Sequence, residues 1–343
     1  YAVHRIVLTV AHMTRLILHL GDHKTGTSTL QRLFAAGHGP PDVLYPTAGR
    51  ANGAGHHNLA WELGSDPRFR PHTGGWHDVW REIAAATPDT ALISTEAFEF
   101  KRPERVLAKI MAERAACISK IDGVVYLRPH ASRLLSSFSE RVKRGIGPFG
   151  RDEFLDLALT SSRYQFAPRV SRWRKLLTPG ELQIRVFNRS NLIGEDIVAD
   201  FFEHVLAASR PLPSLTNSNE SPTAAALLMM QMQGAIYAAA GGAKLAREQS
   251  PTIRAAAASC SDGPRPSWSP SEAERIRHAC AEDAQALDEM LCMNTFSKAL
   301  EHAVDQASDA SALNTVMAKD LAQAVVAKIH DFHAIARKPH GSS

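Results

Sequence analysis

The sequence predicts an α/β fold: a three-layer sandwich with a central, mainly parallel sheet and a helical C-terminal part. Three observations predict it. Short apolar runs recur at Leu16–Leu20, Thr90–Thr95, Val124–Leu127 and Leu182–Phe187, as expected of strands covered on both faces. Segments of helical period separate these runs, the pattern of a parallel sheet with crossover helices. From Pro222 onward the strand signal gives way to helical period alone.

Taken in order, Leu16–Leu20 is the first strand and Ser28–Ala36 its helix. Gly37–Gly55 is rich in Gly and Pro and reads as loop. His57–Leu63 and Trp76–Ala86 have helical period. Thr90–Thr95 is a buried strand, and Arg105–Lys120 an amphipathic helix. The β-branched and aromatic run Val124–Leu127 is a strand, followed by a helix to Arg144. Asp152–Leu159 and Tyr164–Leu177 are helical, and Leu182–Phe187 alternates as a strand before a helix around Ile197–Phe202. Ala224–Ala240 reads as a core helix, because Gln231, Gln233 and Gly234 interrupt it before it could span a bilayer. A Pro/Ser-rich break falls at Gly263–Pro270, and Asn294–Arg337 is alanine-rich and helical in period. The expected organisation is therefore an upstream extension over 1–13, with Met13 as the natural start, one domain over 14–293, and a helical segment over 294–343.

Composition narrows the function. A formal charge of +4 over 343 residues is mild and argues against nucleic acid as partner, which needs a concentrated basic face. Sixteen histidines are scattered and the four cysteines form no Cys-x-x-Cys pair, so no metal site is expected. Unpaired cysteines suit a reducing compartment, here the cytoplasm. No transmembrane segment or signal peptide is expected. The oligomeric state is not legible.

The chemistry concentrates where the first strand meets its helix. Gly21-Asp22-His23-Lys24-Thr25-Gly26-Thr27-Ser28 combines two glycines, a lysine and three hydroxyls between a strand and a helix N-terminus. Backbone N–H groups and the helix dipole favour an anion there. The order differs from a Walker loop, in which lysine directly follows the second glycine; here Lys24 precedes Gly26 by two residues. A second basic group, Arg128, ends the Val124–Leu127 strand, with Ser136 eight residues later on the next helix. A guanidinium chelates phosphate oxygens, and a hydroxyl nearby adds a donor.

With these residues the chain resembles the sulfotransferases that use 3′-phosphoadenosine 5′-phosphosulfate (PAPS), above all bacterial members with a His-Lys-Thr-Gly-Thr loop near the N-terminus. The resemblance covers roughly Leu16–Leu291, with its specific motifs between Leu16 and Arg144. It implies a P-loop NTPase-like fold in which His23, Lys24, Thr25, Gly26, Thr27 and Ser28 surround the 5′-phosphosulfate. Arg128 and Ser136 would hold the 3′-phosphate, and Lys24 would be catalytic. PAPS is then a co-substrate, and no metal is required. The chain lacks the C-terminal Arg-Lys-Gly loop of cytosolic sulfotransferases, so Lys143 and Arg144 are expected to do part of that work. A hydroxyl acceptor needs a general base. Glu96, at the end of the Leu92–Thr95 run, and His57, at a helix start, are the two candidates. The resemblance points to a carbohydrate or glycolipid hydroxyl as acceptor, and Trp61, Trp76 and Trp80 could stack on a sugar or belong to the core. The alternatives are a P-loop-like nucleotide kinase and a non-catalytic nucleotide-binding relative.

Overall fold

The computed structural model describes residues 13–308 except 52, 65, 115, 178, 179, 209–220, 258, 259 and 261. The described chain divides into two compact units, residues 13–129 with 165–208, and residues 130–164 with 221–308. Residues 1–12 of the expected extension over 1–13, and residues 309–343 of the expected C-terminal segment, lie outside the described residues.

The first unit carries the sheet. Its strands are β1 (Thr14–His19), β2 (Val43–Leu44), β3 (Thr90–Ser94), β4 (Ile118–Leu127) and β5 (Leu182–Val186). They pair in the order β2-β3-β1-β4-β5, every pair parallel. In register, His19 stands opposite Ser94 on one side and Val124 on the other. The helices of this unit are α1 (Thr27–Ala35), α2 (His57–Glu62), α3 (Trp76–Ala86), α4 (Pro103–Glu113), α7 (Phe166–Leu176) and α8 (Ile197–Leu206), numbered with the second unit's in chain order.

Side-chain alternation sorts each strand between two layers. Ile17, Leu92, Val124 and Tyr126 pack with Leu30, Leu33 and Phe34 of α1 and Phe201, Phe202 and Val205 of α8. The alternate residues Leu16, Leu18, Ala91, Ile93 and Val125 are equally buried and point to the opposite face. That double burial explains the unbroken apolar runs, and each large aliphatic or aromatic side chain so covered stabilises the fold by roughly 1.5–3 kcal/mol.

Within the sheet, the structure departs from expectation at β4 and β2. The helix expected over Arg105–Lys120 stops at Glu113, and Ile118 to Lys120 already belong to β4, paired with Thr14 and Arg15. The parallel ladder satisfies these backbone groups, and tertiary pairing overrides helical period. Within the Gly/Pro-rich loop, Val43 and Leu44 form the short edge strand β2 against Thr90 and Ala91.

One buried ion pair ties β4, β5 and α8 together. Asp200, fully buried on α8, accepts from Arg185 Nε at 2.6 Å and Nη2 at 2.8 Å, and from the Tyr126 hydroxyl at 2.6 Å. Burial alone would raise the Asp200 pKa, but the Arg185 and Tyr126 hydrogen bonds outweigh it and hold the carboxyl below its ordinary value.

The second unit is helical: α5 (His130–Lys143), α6 (Arg151–Leu159), α9 (Ala224–Glu248), α10 (Ser250–Ala257), α11 (Pro270–Leu291) and α12 (Thr295–Asp305). On α5, Ala131, Leu134, Phe138 and Val142 recur at helical spacing and are buried. The Pro/Ser-rich break ends in a capping box: Ser269 Oγ accepts from Glu272 N–H at 3.3 Å, and Glu272 returns the bond to Ser269 N–H at 2.8 Å, with Pro270 opening α11. Asp288 of α11 accepts from the N–H groups of Phe296 and Ser297 at 2.9 and 2.8 Å, which fixes the start of α12. α12, the beginning of the expected 294–343 segment, therefore belongs with this unit. His130 is buried there, 2.8 Å from Asp283, so it fills the helical interior.

Arg185→Ala leaves the Asp200 carboxylate buried without its bidentate partner. Urea unfolding should show a loss of about 3–5 kcal/mol, only partly recovered by Arg185→Lys, which lacks the planar fork.

Candidate functional site

Strand order alone selects the location. The chain fills one side of β1 with β3 and β2, then crosses to the other side with β4 and β5. Ligands of open parallel sheets bind outside the carboxyl ends of the strands at such a reversal. The residues leaving those ends are Gly21 from β1, Thr95 and Glu96 from β3, and Arg128 from β4.

The loop after β1 is shaped by its backbone. Gly21 has φ +62°, and a Cβ there would sit 2.6 Å from Glu96 Cα, so glycine is required on both counts. Lys24 and Gly26 are also left-handed, at φ 71° and 76°. For a lysine this costs about 1–2 kcal/mol. Asp22 is fully buried; its carbonyl accepts from Thr25 Oγ1 at 2.6 Å and lies 3.4 Å from Thr27 Oγ1, while its carboxylate is 3.3 Å from Arg169 Nη2. Gly26 caps α1, and the first turn of α1 carries no acid. Among the described residues, the N–H groups of Gly26, Thr27 and Ser28 have no acceptor in the chain. Three donors at a helix N-terminus form a concavity suited to an oxyanion.

Arg128 reaches this loop. Its Nη1 donates to the Lys24 carbonyl at 3.3 Å, and its guanidinium lies 5.9 Å from the Phe187 ring. A Cβ on Gly26 would approach the same ring to 3.1 Å. The two basic residues singled out in the sequence thus meet at one sheet edge. Ser136 lies on α5 in the second unit and is half-buried there, as is Lys143 at the end of α5, while the adjoining Arg144 is exposed.

The two candidate bases are neighbours. Glu96 opens a short 3-10 turn, Glu96–Phe100, and its Oε2 accepts from Gln31 Nε2 at 2.9 Å. His57 Nδ1 lies 3.8 Å from that oxygen and 2.8 Å from Thr95 Oγ1. Burial lowers the His57 pKa; Glu96 opposes the shift, and His23 and Arg68 add to it. His23 is oriented separately: its N–H donates to Glu99 Oε2 at 3.1 Å, and its Nδ1 is hydrogen-bonded to the same oxygen.

Behind the site stand two buried histidines. The Ser94 N–H donates to His56 Nδ1 at 3.1 Å, which places the ring proton on Nε2, 2.9 Å from the Pro46 carbonyl. Burial lowers the His56 pKa to about 3. His19 Nδ1 is 2.8 Å from Ser94 Oγ, and burial lowers its pKa to about 4. The three tryptophans considered as sugar platforms are buried: Trp76 is fully enclosed, stacks on Trp80 and Phe98, and donates its indole N–H to the Leu59 carbonyl at 3.0 Å. Their role in the core leaves no ring face for a ligand.

Gln31, Thr95, Glu99 and the Asp22–Arg169 pair escaped sequence reasoning. Gln31 alone left a signal: it follows Thr27 by four residues and precedes Phe34 by three, a polar group on a buried helix face. Among the described residues no three His, Cys, Asp or Glu side chains gather as a metal cluster, and no helix is long and apolar enough to cross a membrane. Compared with known proteins, the chain matches no family profile and no curated relative.

His19 and His56 tie stability to pH. Both have an ordinary value near 6.5 that folding lowers, so the unfolded chain takes up protons first. Their contribution is complete above about pH 6.5 and declines as pH falls toward 4 and 3. Urea unfolding at pH 5 should give a stability lower than at pH 7 by roughly 2 kcal/mol per histidine; equal stabilities would contradict their burial as neutral rings.

Proposed function

We propose that the chain is a PAPS-dependent sulfotransferase acting on a hydroxyl acceptor, a carbohydrate or glycolipid. The observation that carries this reading is the Arg128 guanidinium bonded to the carbonyl of Lys24, beside the unengaged N–H groups of Gly26, Thr27 and Ser28. This gives one anion cradle two basic residues of the kind a doubly phosphorylated adenosine requires. The resemblance of the loop to the sulfotransferase 5′-phosphosulfate loop selects sulfuryl over phosphoryl transfer. The cytoplasm is the proposed location, in keeping with four cysteines that form no disulfide.

In the proposed reaction the N–H groups of Gly26, Thr27 and Ser28 hold the 5′-phosphate, and Arg128 bears on the 3′-phosphate. Glu96 accepts the proton of the acceptor hydroxyl while its oxygen bonds to sulfur. The bond from sulfur to the phosphate oxygen breaks, and Lys24 meets the charge that develops on that oxygen. The products are a sulfate ester and adenosine 3′,5′-bisphosphate. Positioning and electrostatics supply the acceleration, as in phosphoryl transfer.

Calorimetry with adenosine 3′,5′-bisphosphate should show binding without magnesium. Lys24→Ala and Arg128→Ala should each abolish sulfation with unchanged thermal stability, whereas full activity in Lys24→Ala removes the assignment. Stabilisation by ATP with magnesium, in place of the bisphosphate, identifies a nucleotide kinase instead. Donor binding without turnover across a broad acceptor panel identifies a non-catalytic relative. With bound donor, Glu96→Gln should lower turnover about 10²–10⁴-fold at little cost in donor affinity; such a loss in His57→Ala alone transfers the role of base to His57.

A further inference from the structure

Gln31 sits one turn into α1, the helix whose N-terminus forms the anion cradle, and is 3% exposed. Its amide is gripped from three sides. Nε2 donates to Glu96 Oε2 at 2.9 Å and lies 3.4 Å from both the carbonyl and the hydroxyl of Ser94. On the third side is Gly55, where a Cβ would stand 2.7 Å from the amide carbon, nitrogen and oxygen of Gln31. The amide has one workable orientation, because the Glu96 carboxylate and the Ser94 carbonyl only accept hydrogen bonds.

The oxygen that Gln31 holds is the one nearest His57, at 3.8 Å, beyond a hydrogen bond. His57 Nδ1 is occupied instead by Thr95 Oγ1 at 2.8 Å. Left alone, a carboxylate and an imidazole at this separation would close into a hydrogen-bonded pair, and the carboxylate would then be engaged by the ring rather than open to an acceptor hydroxyl. We infer that Gln31 is a positioning residue, which fixes the Glu96 carboxylate beside His57 but out of its reach and ties that geometry to the helix forming the anion cradle. The inference rests on the proposed sulfuryl transfer for its catalytic meaning, while the geometry can be tested without it.

The test uses Gln31→Met, which keeps length and removes the donors, and Gln31→Leu, which removes them with a shorter, branched side chain and likewise adds no charge. Histidine proton NMR titration follows His57, assigned by the signal missing in His57→Asn. The charged groups facing His57 are Glu96, His23 and Arg68, and none is altered. In folded Gln31→Met the His57 midpoint should rise, because the released carboxylate closes onto the ring; a merely structural role would lower thermal stability and leave this midpoint in place. With PAPS and an acceptor that the wild type sulfates, turnover should fall about 10²-fold while affinity for adenosine 3′,5′-bisphosphate stays within about twofold. An unmoved His57 midpoint in a folded variant overturns the inference. If Gln31→Met fails to fold, the Gln31→Leu titration decides, with the same rise of the His57 midpoint expected and an unmoved midpoint again overturning the inference. Absence of any PAPS turnover in the wild type defeats the proposed function instead, and the titration still decides the role of Gln31.

Discussion

The parallel pairing of β1 between β3 and β4 is the constraint on which the rest depends. Parallel strands deliver their carboxyl ends to the same edge, so residues separated by scores of positions in sequence leave the sheet side by side. The reversal of strand order at β1 opens the crevice there, and the loop carrying Lys24 emerges directly into it. Nothing in the local sequence of the loop, Glu96 or Arg128 would bring them together; the ladder does.

Around that edge the structure spends polar groups on orientation. Buried carboxylates sit under or beside the crevice, each with a dedicated donor: Asp22 with Arg169, Asp200 with Arg185 and Tyr126, Glu99 with His23. Such pairs contribute little net stability against an apolar replacement, but they are costly to break and so hold geometry firmly. Ser94 shows the same economy: its carbonyl, N–H and hydroxyl lie within hydrogen-bonding range of Gln31, His56 and His19. The end of β3 is thereby fixed by side chains as well as by its ladder.

Much of this was legible in the sequence because it rests on local pattern. The four longer strands announced themselves as apolar runs, and the cradle as glycines, a lysine and hydroxyls before a helix. What escaped depends on long-range partners. Two residues, Val43 and Leu44, make too short a run to carry a period, and only their pairing with β3 defines them as a strand. Ile118 to Lys120 read as the end of a helix until β1 is present to pair with them. The proximity of Glu96 to His57 comes from the loop that returns α2 to the end of β3, and no spacing rule encodes it. Tryptophans at helical positions look alike in sequence whether they face a ligand or a core; the volume filled around Trp76 decides.

The placement of β1 also has a consequence during synthesis. β1 is the central strand of the sheet, yet its first neighbour, β3, begins at Thr90 and its second at Ile118. At ribosomal speeds the strand waits on the order of ten seconds for its partners, with its edges unsatisfied. The crevice cannot exist before β4 has emerged, so nascent chains shorter than this present a sticky ribbon with no pocket.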